Sequence, residues 1–286
     1  MGSAPWTPRN DCLAPQQYLS SFTLAAMTRF ENYRSLVPQM IRREISERYK
    51  GSVLGVLWSL ITPLILLGVY TFVFSGLFNS RWSGSDSTAD FAVILFAGLL
   101  MYQFFADVLV EAPSLIMSNT NFVKKVVFPL EVLVPVTTGA ALFHAFISFI
   151  ILLVATFYVQ GHVPLTVFWT PVIVLPFVLL TLGIGWSLAA FGVYLRDIGQ
   201  IMGTLTTALL FLAPIFYPSD AIPDWIAPYV NLNPIALPIE MLRGAVIFGD
   251  APDLIQYGIY SLIAGLVCIL GYVCFQKTRG GFADVL

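Results

Sequence analysis

Residues 164–192 read PLTVFWTPVIVLPFVLLTLGIGWSLAAFG, a run of 29 residues without a single charge. A helix needs about 20 predominantly apolar residues to cross the hydrocarbon core of a bilayer, so this run is long enough to span it. Five further apolar segments are predicted to be membrane spans, and they are 53–78, 91–113, 130–159, 200–217 and 255–276. We therefore predict an all-α integral membrane protein with six transmembrane helices.

The composition of the whole chain also indicates a membrane protein. Hydrophobic residues make up 58% of the 286 residues and charged residues only 10%, which is too little polar surface for a soluble globule. The formal net charge is −2 and no extended basic face is present, so we exclude nucleic acid as a partner. The three cysteines form no CxxC spacing, and we expect no metal site.

The basic residues predict the orientation in the membrane. If the N-terminus is cytoplasmic, all 14 lysines and arginines except Arg81 and Arg243 lie in inner segments. Cytoplasmic segments of membrane proteins carry such an excess of cations. We therefore expect both termini inside. Because no apolar run precedes about residue 53, we expect no cleavable signal peptide.

The segment 35–50, just before the first span, is predicted to form an amphipathic helix. Apolar side chains from Leu36 to Tyr49 recur near one helical face, while the charged ones point elsewhere. Such a helix lies in the membrane plane, and a solvated helix that merely precedes the span is the alternative. Four cations lie where anionic headgroups or a phosphate-bearing substrate would meet them, although such a cluster needs no ligand: Arg42, Arg43, Arg48 and Lys50.

Two polar segments separate other spans. Residues 118–125, between the second and third spans, are either an ordinary cytoplasmic loop or a knob that docks a partner. The outer segment 218–254 is too apolar for a hydrated loop, and five prolines interrupt it between residues 218 and 238. Two short re-entrant helices, around 222–230 and 235–248, fit this pattern, and irregular backbone at membrane depth is tolerated where protein or a wet cavity surrounds it.

We predict that this re-entrant pair, which precedes the last span, forms the rim or gate of a pathway. Glu240 and Arg243 are three residues apart on its second helix, so they can pair and lower the cost of charge near lipid. The aromatic residues of the segment complete the predicted gate, which consists of Trp225, Tyr229, Glu240 and Arg243.

Aromatic side chains are abundant, with 23 Phe, 12 Tyr and 6 Trp. Aromatic faces offer stacking surfaces of low specificity, so some of these residues are candidates for the lining of a channel. The alternative is that they pack in the core or face lipid. The candidates, several of them one helical turn apart, are Tyr70, Phe74, Tyr102, Phe105 and Phe211.

The sequence contains no GxxxxGK[ST] loop, so this chain cannot cradle a triphosphate in the usual way. Energy must come from a partner or from a gradient. Proton coupling is one alternative, because ionisable residues occur in or near spans two and three, namely Asp107, Glu111, Glu131 and His144. A membrane hydrolase built on Ser148 and His144 is another, although neither an acidic triad member nor a glycine-flanked serine accompanies that pair.

Five blocks of sequence occur in order along the chain: RYKGSVLGVLW at 48–58, ITP at 61–63, KKVVFP at 124–129, YLRDI at 194–198, and Asn233-Pro234 followed by Arg243. At this spacing they resemble the permease subunits of ATP-binding-cassette polysaccharide exporters. The resemblance covers nearly the whole chain beyond about residue 30.

The resemblance implies a homodimer of six-span permeases bound to two separate nucleotide-binding subunits in the cytoplasmic (inner) membrane of a bacterium. The partner subunits would bind ATP and magnesium, so this chain would hold no cofactor and would not be an enzyme. The substrate would be a glycan on a polyprenyl diphosphate lipid, with O-antigen as the first expectation and capsule or wall teichoic acid as alternatives. A proton-coupled exporter or a drug or lipid exporter is the rival prediction.

The resemblance also divides the chain and assigns its polar elements. Residues 1–52 would form a cytoplasmic segment with the interface helix, and residues 53–286 would form the six-span permease domain. Residues 36–50 and 119–126 would meet the ATPase, and segment 218–254 would be the external gate. The residues implied to couple transport to the ATPase are Asn121, Phe122, Lys124 and Lys125.

Overall fold

The computed structural model describes residues 36–73, 88–124, 128–218, 223, 225, 230 and 232–285. All regular elements in these residues are helical, which confirms the predicted all-α class. The α-helices are, in chain order, α1 (36–48), α2 (Trp58–Thr71), α3 (Thr88–Glu111), α4 (Leu115–Ser118), α5 (Thr120–Lys124), α6 (Leu133–Gln160), α7 (Thr170–Tyr194), α8 (Ile198–Leu212), α9 (Ala236–Arg243), α10 (Leu254–Thr278) and α11 (Phe282–Val285).

Four helical stretches are long and apolar enough to cross a membrane. They correspond to predicted spans two, three, four and six, and they confirm a multi-pass membrane protein. The stretches are Thr88–Ser118, Leu130–Gln160, Leu165–Tyr194 and Leu254–Gly281.

Predicted spans one and five correspond to shorter apolar helices, Gly55–Val69 and Ile198–Leu212. The second of these is α8, whose 15 residues extend about 22 Å, less than the roughly 30 Å of a hydrocarbon core. Its C-cap residue Ala213 adopts an extended conformation, and Pro214 follows, a residue that cannot continue a helical hydrogen-bond ladder. Residues 74–78 of the first span lie outside the described residues. The count of six spans therefore stays a prediction.

Local sequence signals explain several helix ends. Helix α6 ends at Gly161, whose φ of 76° is a left-handed conformation that glycine adopts without steric cost. Pro171 lies in the first turn of α7, where its missing N–H removes no helical hydrogen bond. The side chain of Asp253 accepts a hydrogen bond from the Ile255 backbone N–H at 2.8 Å and so caps α10.

Helix α3 is the central helix of the bundle. In the span that contains it, 78% of the most apolar stretch is buried, whereas the corresponding value for the span of α10 is 17%. Its buried side chains pack on α6, α7, α8 and α9. A side chain of α3 that faces the interior of the bundle is therefore shielded from both lipid and solvent.

Helices α7 and α10 approach each other through glycines. A Cβ atom built on Gly183 would lie 2.4 Å from the carbonyl oxygen of Val267, and Gly271 meets the backbone of Gly183 still more closely. Small residues permit this kind of backbone contact between membrane helices. The last span is thereby fixed to α7 and not to the centre of the bundle.

Candidate translocation pathway and coupling elements

Helix α1 packs against the inner ends of α3 and α6. The Nη1 atom of Arg48 lies 3.6 Å from the Oδ2 atom of Asp107, and the Tyr49 hydroxyl lies 3.2 Å from Nδ1 of His144. Ile41 fills the space above Gly139, where a Cβ atom would come within 2.4 Å of the Ile41 Cδ1 atom. The amphipathic helix predicted before the first span is thus present, with its apolar side turned toward the bundle.

A cavity of about 340 Å³ opens between α1, α2, α3 and α6. One end is polar and the other apolar, and the two ends are separated along the axis of α3. Arg48, Tyr49, Gln103, Asp107 and His144 line the polar end. Leu66, Phe96 and Leu99 line the apolar end, and the first turns of α2 border the cavity with Trp58, Ser59, Thr62 and Pro63. Such a lining suits an amphipathic ligand with a polar head and a hydrocarbon chain.

His144 lines this cavity, and one nitrogen of its ring, Nε2, is buried without a partner among the described residues. Burial raises the pKa of the Tyr49 phenol, so its hydroxyl stays protonated at neutral pH and is able to donate to Nδ1. In that tautomer Nε2 carries the ring proton and is a hydrogen-bond donor for a ligand. Sequence reasoning singled out His144 for proton coupling and missed its place beside Arg48.

The other three cations of the predicted headgroup cluster lie elsewhere on α1 or just after it. Arg42, Arg43 and Lys50 are exposed, and the Nε atom of Arg43 lies 2.8 Å from Oε1 of Glu47. The hydrogen bond to Glu47 raises the pKa of Arg43, but an exposed pair of this kind contributes little to stability. Of these four cations, Arg48 is the one that lines the cavity.

A smaller cavity of about 220 Å³ lies beside the first and shares Arg48, Asp107 and His144 with it. Its lining also includes Glu44 and Glu111. In the part of the chain that the structure describes, no group of three or more His, Cys, Asp and Glu side chains is arranged to hold a metal ion.

Helix α8 carries an exposed polar stripe. Gln200, Thr204 and Thr207 are exposed on one side of the helix, and a Cβ atom at Gly199 or Gly203 would meet open space. Phe211 continues the stripe and is 59% exposed. The Thr204 and Thr207 hydroxyls donate to carbonyls of their own helix, those of Gln200 at 3.4 Å and Gly203 at 3.0 Å. Helix α8 therefore presents polar side chains on this side while both threonine hydroxyls stay satisfied within the helix.

The predicted channel aromatics fall into different environments. Tyr102 lines the larger cavity and its hydroxyl donates to the Thr206 carbonyl at 3.1 Å. Phe105 is only 1% exposed and stacks on Phe177 with ring centroids 5.7 Å apart. Phe105 was assigned to a channel because it shares a helix with Tyr102, but it faces the interior of the bundle and we reassign it to the core. The side chain of Tyr70 and all of Phe74 lie outside the described residues.

The predicted coupling residues lie on a short helix. Helix α5 follows α4 after Asn119, whose side chain donates to the Leu115 carbonyl at 3.0 Å. Asn121 is exposed, whereas Phe122 is half-buried and stacks on Phe128 with ring centroids 4.5 Å apart. Lys124 is the last residue of α5; its side chain, and the whole of Lys125, lie outside the described residues.

Among the described residues of the outer segment, Arg243 is the most deeply buried charge, at 3% exposure. Its Nε atom donates to the Ile94 carbonyl at 2.9 Å, and Nη1 and Nη2 donate to the carbonyls of Pro214 and Ile215. These two carbonyls follow the end of α8, so no helical N–H reaches them. The guanidinium supplies the missing donors at membrane depth.

The sequence did not reveal this cage of three carbonyls. Glu240 is exposed one turn earlier on α9 and attracts the guanidinium electrostatically, so their direct pairing stays a prediction. Gly98 makes room for the cage, because a Cβ atom there would lie 2.7 Å from Nη2 of Arg243. Trp225 is exposed, and Tyr229 lies outside the described residues.

Two more side chains connect the outer segment to the bundle. The Asn233 amide donates to the Leu209 carbonyl of α8 at 3.4 Å, and the Tyr260 hydroxyl of α10 donates to the Pro234 carbonyl at 2.9 Å. Helix α9 continues as a π-helical turn, Gly244–Phe248, which corresponds to the second of the two predicted re-entrant helices. The first, 222–230, lies mostly outside the described residues.

The sequence profile of the ABC-2 type transporter family matches residues 36–247, from α1 through the outer segment. The chain belongs to this family. Membership confirms the resemblance to permeases of ATP-binding-cassette exporters, and it covers both the interface helix and the outer segment.

Individual ABC-2 relatives match over most of their length. The chain is 30% identical over 255 residues to an O-antigen export system permease protein of Myxococcus xanthus, covering 88% of this chain and 95% of that protein. It is 27% identical over 256 residues to one of Klebsiella pneumoniae, with the same coverage. A polysialic acid transport protein of Escherichia coli is 22% identical over 261 residues, covering 88% of this chain and 96% of that protein. This ABC-2 permease is accordingly a multi-pass inner-membrane protein.

Proposed function

We propose that this ABC-2 permease is the channel-forming subunit of an exporter that moves a polyprenyl-diphosphate-linked polysaccharide across the bacterial cytoplasmic membrane. O-antigen is the proposed cargo, and capsule or teichoic acid polysaccharides are the alternatives. Support comes from the relatives, two of which are O-antigen export system permease proteins and one a polysialic acid transport protein.

The observation that carries the proposal is the two-ended cavity beside α1. A lipid diphosphate has an anionic head and a long hydrocarbon chain. Arg48 provides a donor at the polar end, and a guanidinium is well suited to phosphate oxygens. The buried Nε2 atom of His144 would become a second donor if binding of the head exposes it. Asp107 orients Arg48. Leu66 on α2, with Phe96 and Leu99 on α3, offers an apolar wall for the chain.

We propose a homodimer whose interface includes the polar stripe on α8. Two copies that face each other through Gln200, Thr204 and Thr207 would enclose a polar path, since a closed two-fold arrangement places the same surface of both subunits at the interface. Phe211 on α8 would offer a stacking surface to passing sugars, and Tyr102 would do so beside the head of the lipid.

Energy would come from two separate ATPase subunits, which bind ATP and magnesium and dock on α1 and α5 at the cytoplasmic face. Both termini would be cytoplasmic, as the distribution of basic residues predicts. Arg42, Arg43 and Lys50, all exposed on or just after α1, would meet the anionic headgroups or the partner.

The test is a gene deletion complemented with defined variants. Mass spectrometry of lipid extracts should show a polyprenyl-diphosphate glycan that accumulates on the cytoplasmic side of the deletion strain and disappears on complementation. A variant of the partner ATPase that cannot hydrolyse ATP should reproduce the accumulation. The purified permease alone should hydrolyse no ATP.

Two results would contradict the proposal. Accumulation of a different lipid or of a drug would favour a drug or lipid exporter. Export that an ionophore abolishes while the ATPase variant leaves it intact would favour proton coupling through the group around His144.

A further inference from the structure

The chain after the last span folds back against the cytoplasmic end of the bundle. A turn of 3-10 helix, Arg279–Gly281, leads into α11. Phe282, the first residue of α11, is fully buried. Its ring packs on Phe275 of α10 with centroids 5.5 Å apart and on Tyr194 of α7 with centroids 6.1 Å apart.

Arg279 connects this C-terminal segment to the start of α6. Its Nη1 atom lies 2.8 Å from Oε2 of Glu131, and its Nη2 atom donates to the Phe128 carbonyl at 3.3 Å. Glu131 is itself held, because the Trp186 indole N–H donates to its backbone carbonyl at 3.0 Å. The Arg279 guanidinium thus connects the end of the last span to Phe128 and Glu131, in the segment that leads into α6.

Phe128 is also the residue on which the coupling helix rests. The Phe122 ring of α5 stacks on Phe128 at 4.5 Å with an interplanar angle of 21°. Phe122 and Phe128 pack against the same buried cluster that contains Phe275 and Phe282, and Met40 of α1 packs there too. A continuous set of contacts therefore runs from α5 through Phe128 and Arg279 to α10.

We propose that the C-terminal segment 279–285 is a positioning element that passes movement of α5 to the last span. Arg279 acts by holding Phe128, and Phe282 acts by holding α10 in the cluster, so a push on Phe122 displaces α10 together with α6. The proposal rests on the proposed function, in which α5 receives the push of the ATPase.

Arginine is required at this position because two acceptors must be met in different directions. The forked guanidinium reaches a carboxylate and a backbone carbonyl at once, whereas a lysine ammonium at the same place is a compact point charge. Tyr194 holds the backbone just before Arg279, since its hydroxyl donates to the Thr278 carbonyl at 3.0 Å. The side chain of Arg279 is thereby directed toward α6 and away from solvent.

The experiment measures polysaccharide exported per ATP hydrolysed by the complete transporter in proteoliposomes. Arg279→Ala and Phe282→Ala should keep ATP hydrolysis and lower the export ratio by roughly 5-fold or more, a typical size for coupling between sites. Arg279→Lys should lose less than Arg279→Ala. The matched control is Lys277→Ala, which removes an exposed cation from the same turn and should leave the ratio unchanged.

A second measurement separates positioning from misfolding. Hydrogen exchange of residues 119–124 in the complete complex should rise in Arg279→Ala and not in Lys277→Ala, and the charge exchange Arg279→Glu with Glu131→Arg should restore part of the export ratio. An unchanged ratio and unchanged exchange in Arg279→Ala, alongside an active wild-type transporter, would overturn the positioning role alone. A wild-type complex without ATP-driven export would instead overturn the proposed function.

Discussion

The two ends of this permease are held together by different kinds of contact. At the end predicted to be cytoplasmic, ion pairs join side chains, Arg48 with Asp107 and Arg279 with Glu131, and bonds to backbone carbonyls, such as that of Arg279 to Phe128, accompany them. At the outer end, side chains donate to backbone carbonyls, as Arg243 and Tyr260 do. The difference follows from the backbone, because the helices stop early at the outer end and their carbonyls need donors where water is scarce.

The two kinds of contact differ in how much free energy is lost when they open. A carbonyl stripped of its donor at membrane depth has no substitute, so the outer contacts cannot open without cost. Partly exposed ion pairs at the cytoplasmic end lose less when they open, because water and salt replace the partner. We therefore expect the cytoplasmic end to rearrange during transport more readily than the carbonyl cage of Arg243.

The largest effect is expected for the carbonyl cage. Arg243→Met removes the donor of the Pro214 and Ile215 carbonyls, which lie beyond the end of α8, and each unsatisfied group costs about 1–3 kcal/mol. The Ile94 carbonyl lies inside α3 and keeps its helical donor. The melting temperature of the detergent-purified permease should fall sharply, and proteoliposomes of the complex without ATP should leak a trapped dye. Arg196→Met, an exposed arginine, is the control. A stable and tight Arg243→Met transporter would remove the distinction between the two ends.

The close contact between Gly98 and the Arg243 guanidinium provides an independent test of the cage. Gly98→Ala places a Cβ atom 2.7 Å from Nη2 of Arg243, so the guanidinium must shift while its charge remains. The leak should be smaller than that of Arg243→Met but still measurable. An equal leak in Gly98→Ala and in an alanine variant at the open Gly258 would argue against a role for the cage geometry.

A smaller effect is expected at the two-ended cavity. Arg48→Gln removes the guanidinium that faces the proposed diphosphate, and loss of one charge-assisted contact of about 1.5–3 kcal/mol corresponds to a roughly 10- to 100-fold loss of substrate affinity. The measurement is the concentration of lipid-linked glycan that gives half-maximal export. Arg42→Gln, on the exposed side of the same helix, should behave as wild type. Equal losses in both variants would point to a general surface-charge effect.

Variants of the coupling helix α5 test whether movement at this end of the protein is passed on to transport. Phe122→Ala removes the ring that stacks on Phe128 and should uncouple ATP hydrolysis from export, as an anchor residue at a small docking surface does. Charge reversal at Lys124 and Lys125 should do the same by weakening the approach of the partner. The readout is ATP hydrolysis and export in the same preparation; full coupling in every one of these variants would exclude docking at α5.

The smallest effect is expected for Tyr49→Phe, which removes the hydrogen bond to His144 and should cost about 1 kcal/mol. Burial raises the pKa of Tyr49 above 10.0, so the neutral hydroxyl contributes fully below that pH and is lost only as the pH rises through the higher value of the folded state. The difference in melting temperature from wild type should therefore be constant between about pH 7 and pH 9. Tyr158→Phe, at an exposed residue, should show no such difference, and a strong pH dependence would contradict this assignment.

The hydropathy of the sequence was sufficient to locate the membrane helices, but it did not show which side of each helix faces the core and which faces a cavity. Apolar length predicted the four long spans, because hydrocarbon imposes a length on any helix that crosses it. The same apolar character made Tyr102 and Phe105 look alike, since both lie on α3. Only packing distinguished them, as Phe105 lies against Phe177 and Tyr102 lines a cavity.

Local sequence determined that this protein is an all-helical membrane protein with an amphipathic helix before the first predicted span and a proline-broken segment before the last span. Those properties depend on hydropathy, proline and charge, which act over a few helical turns. Only the tertiary structure determined that Arg243 donates hydrogen bonds to the carbonyls of Ile94, Pro214 and Ile215, and that Arg279 donates to the carboxylate of Glu131. These partners lie between 28 and 149 residues away along the chain. No local pattern encodes such pairs, because they form only when separate helices pack and a buried charge must find acceptors.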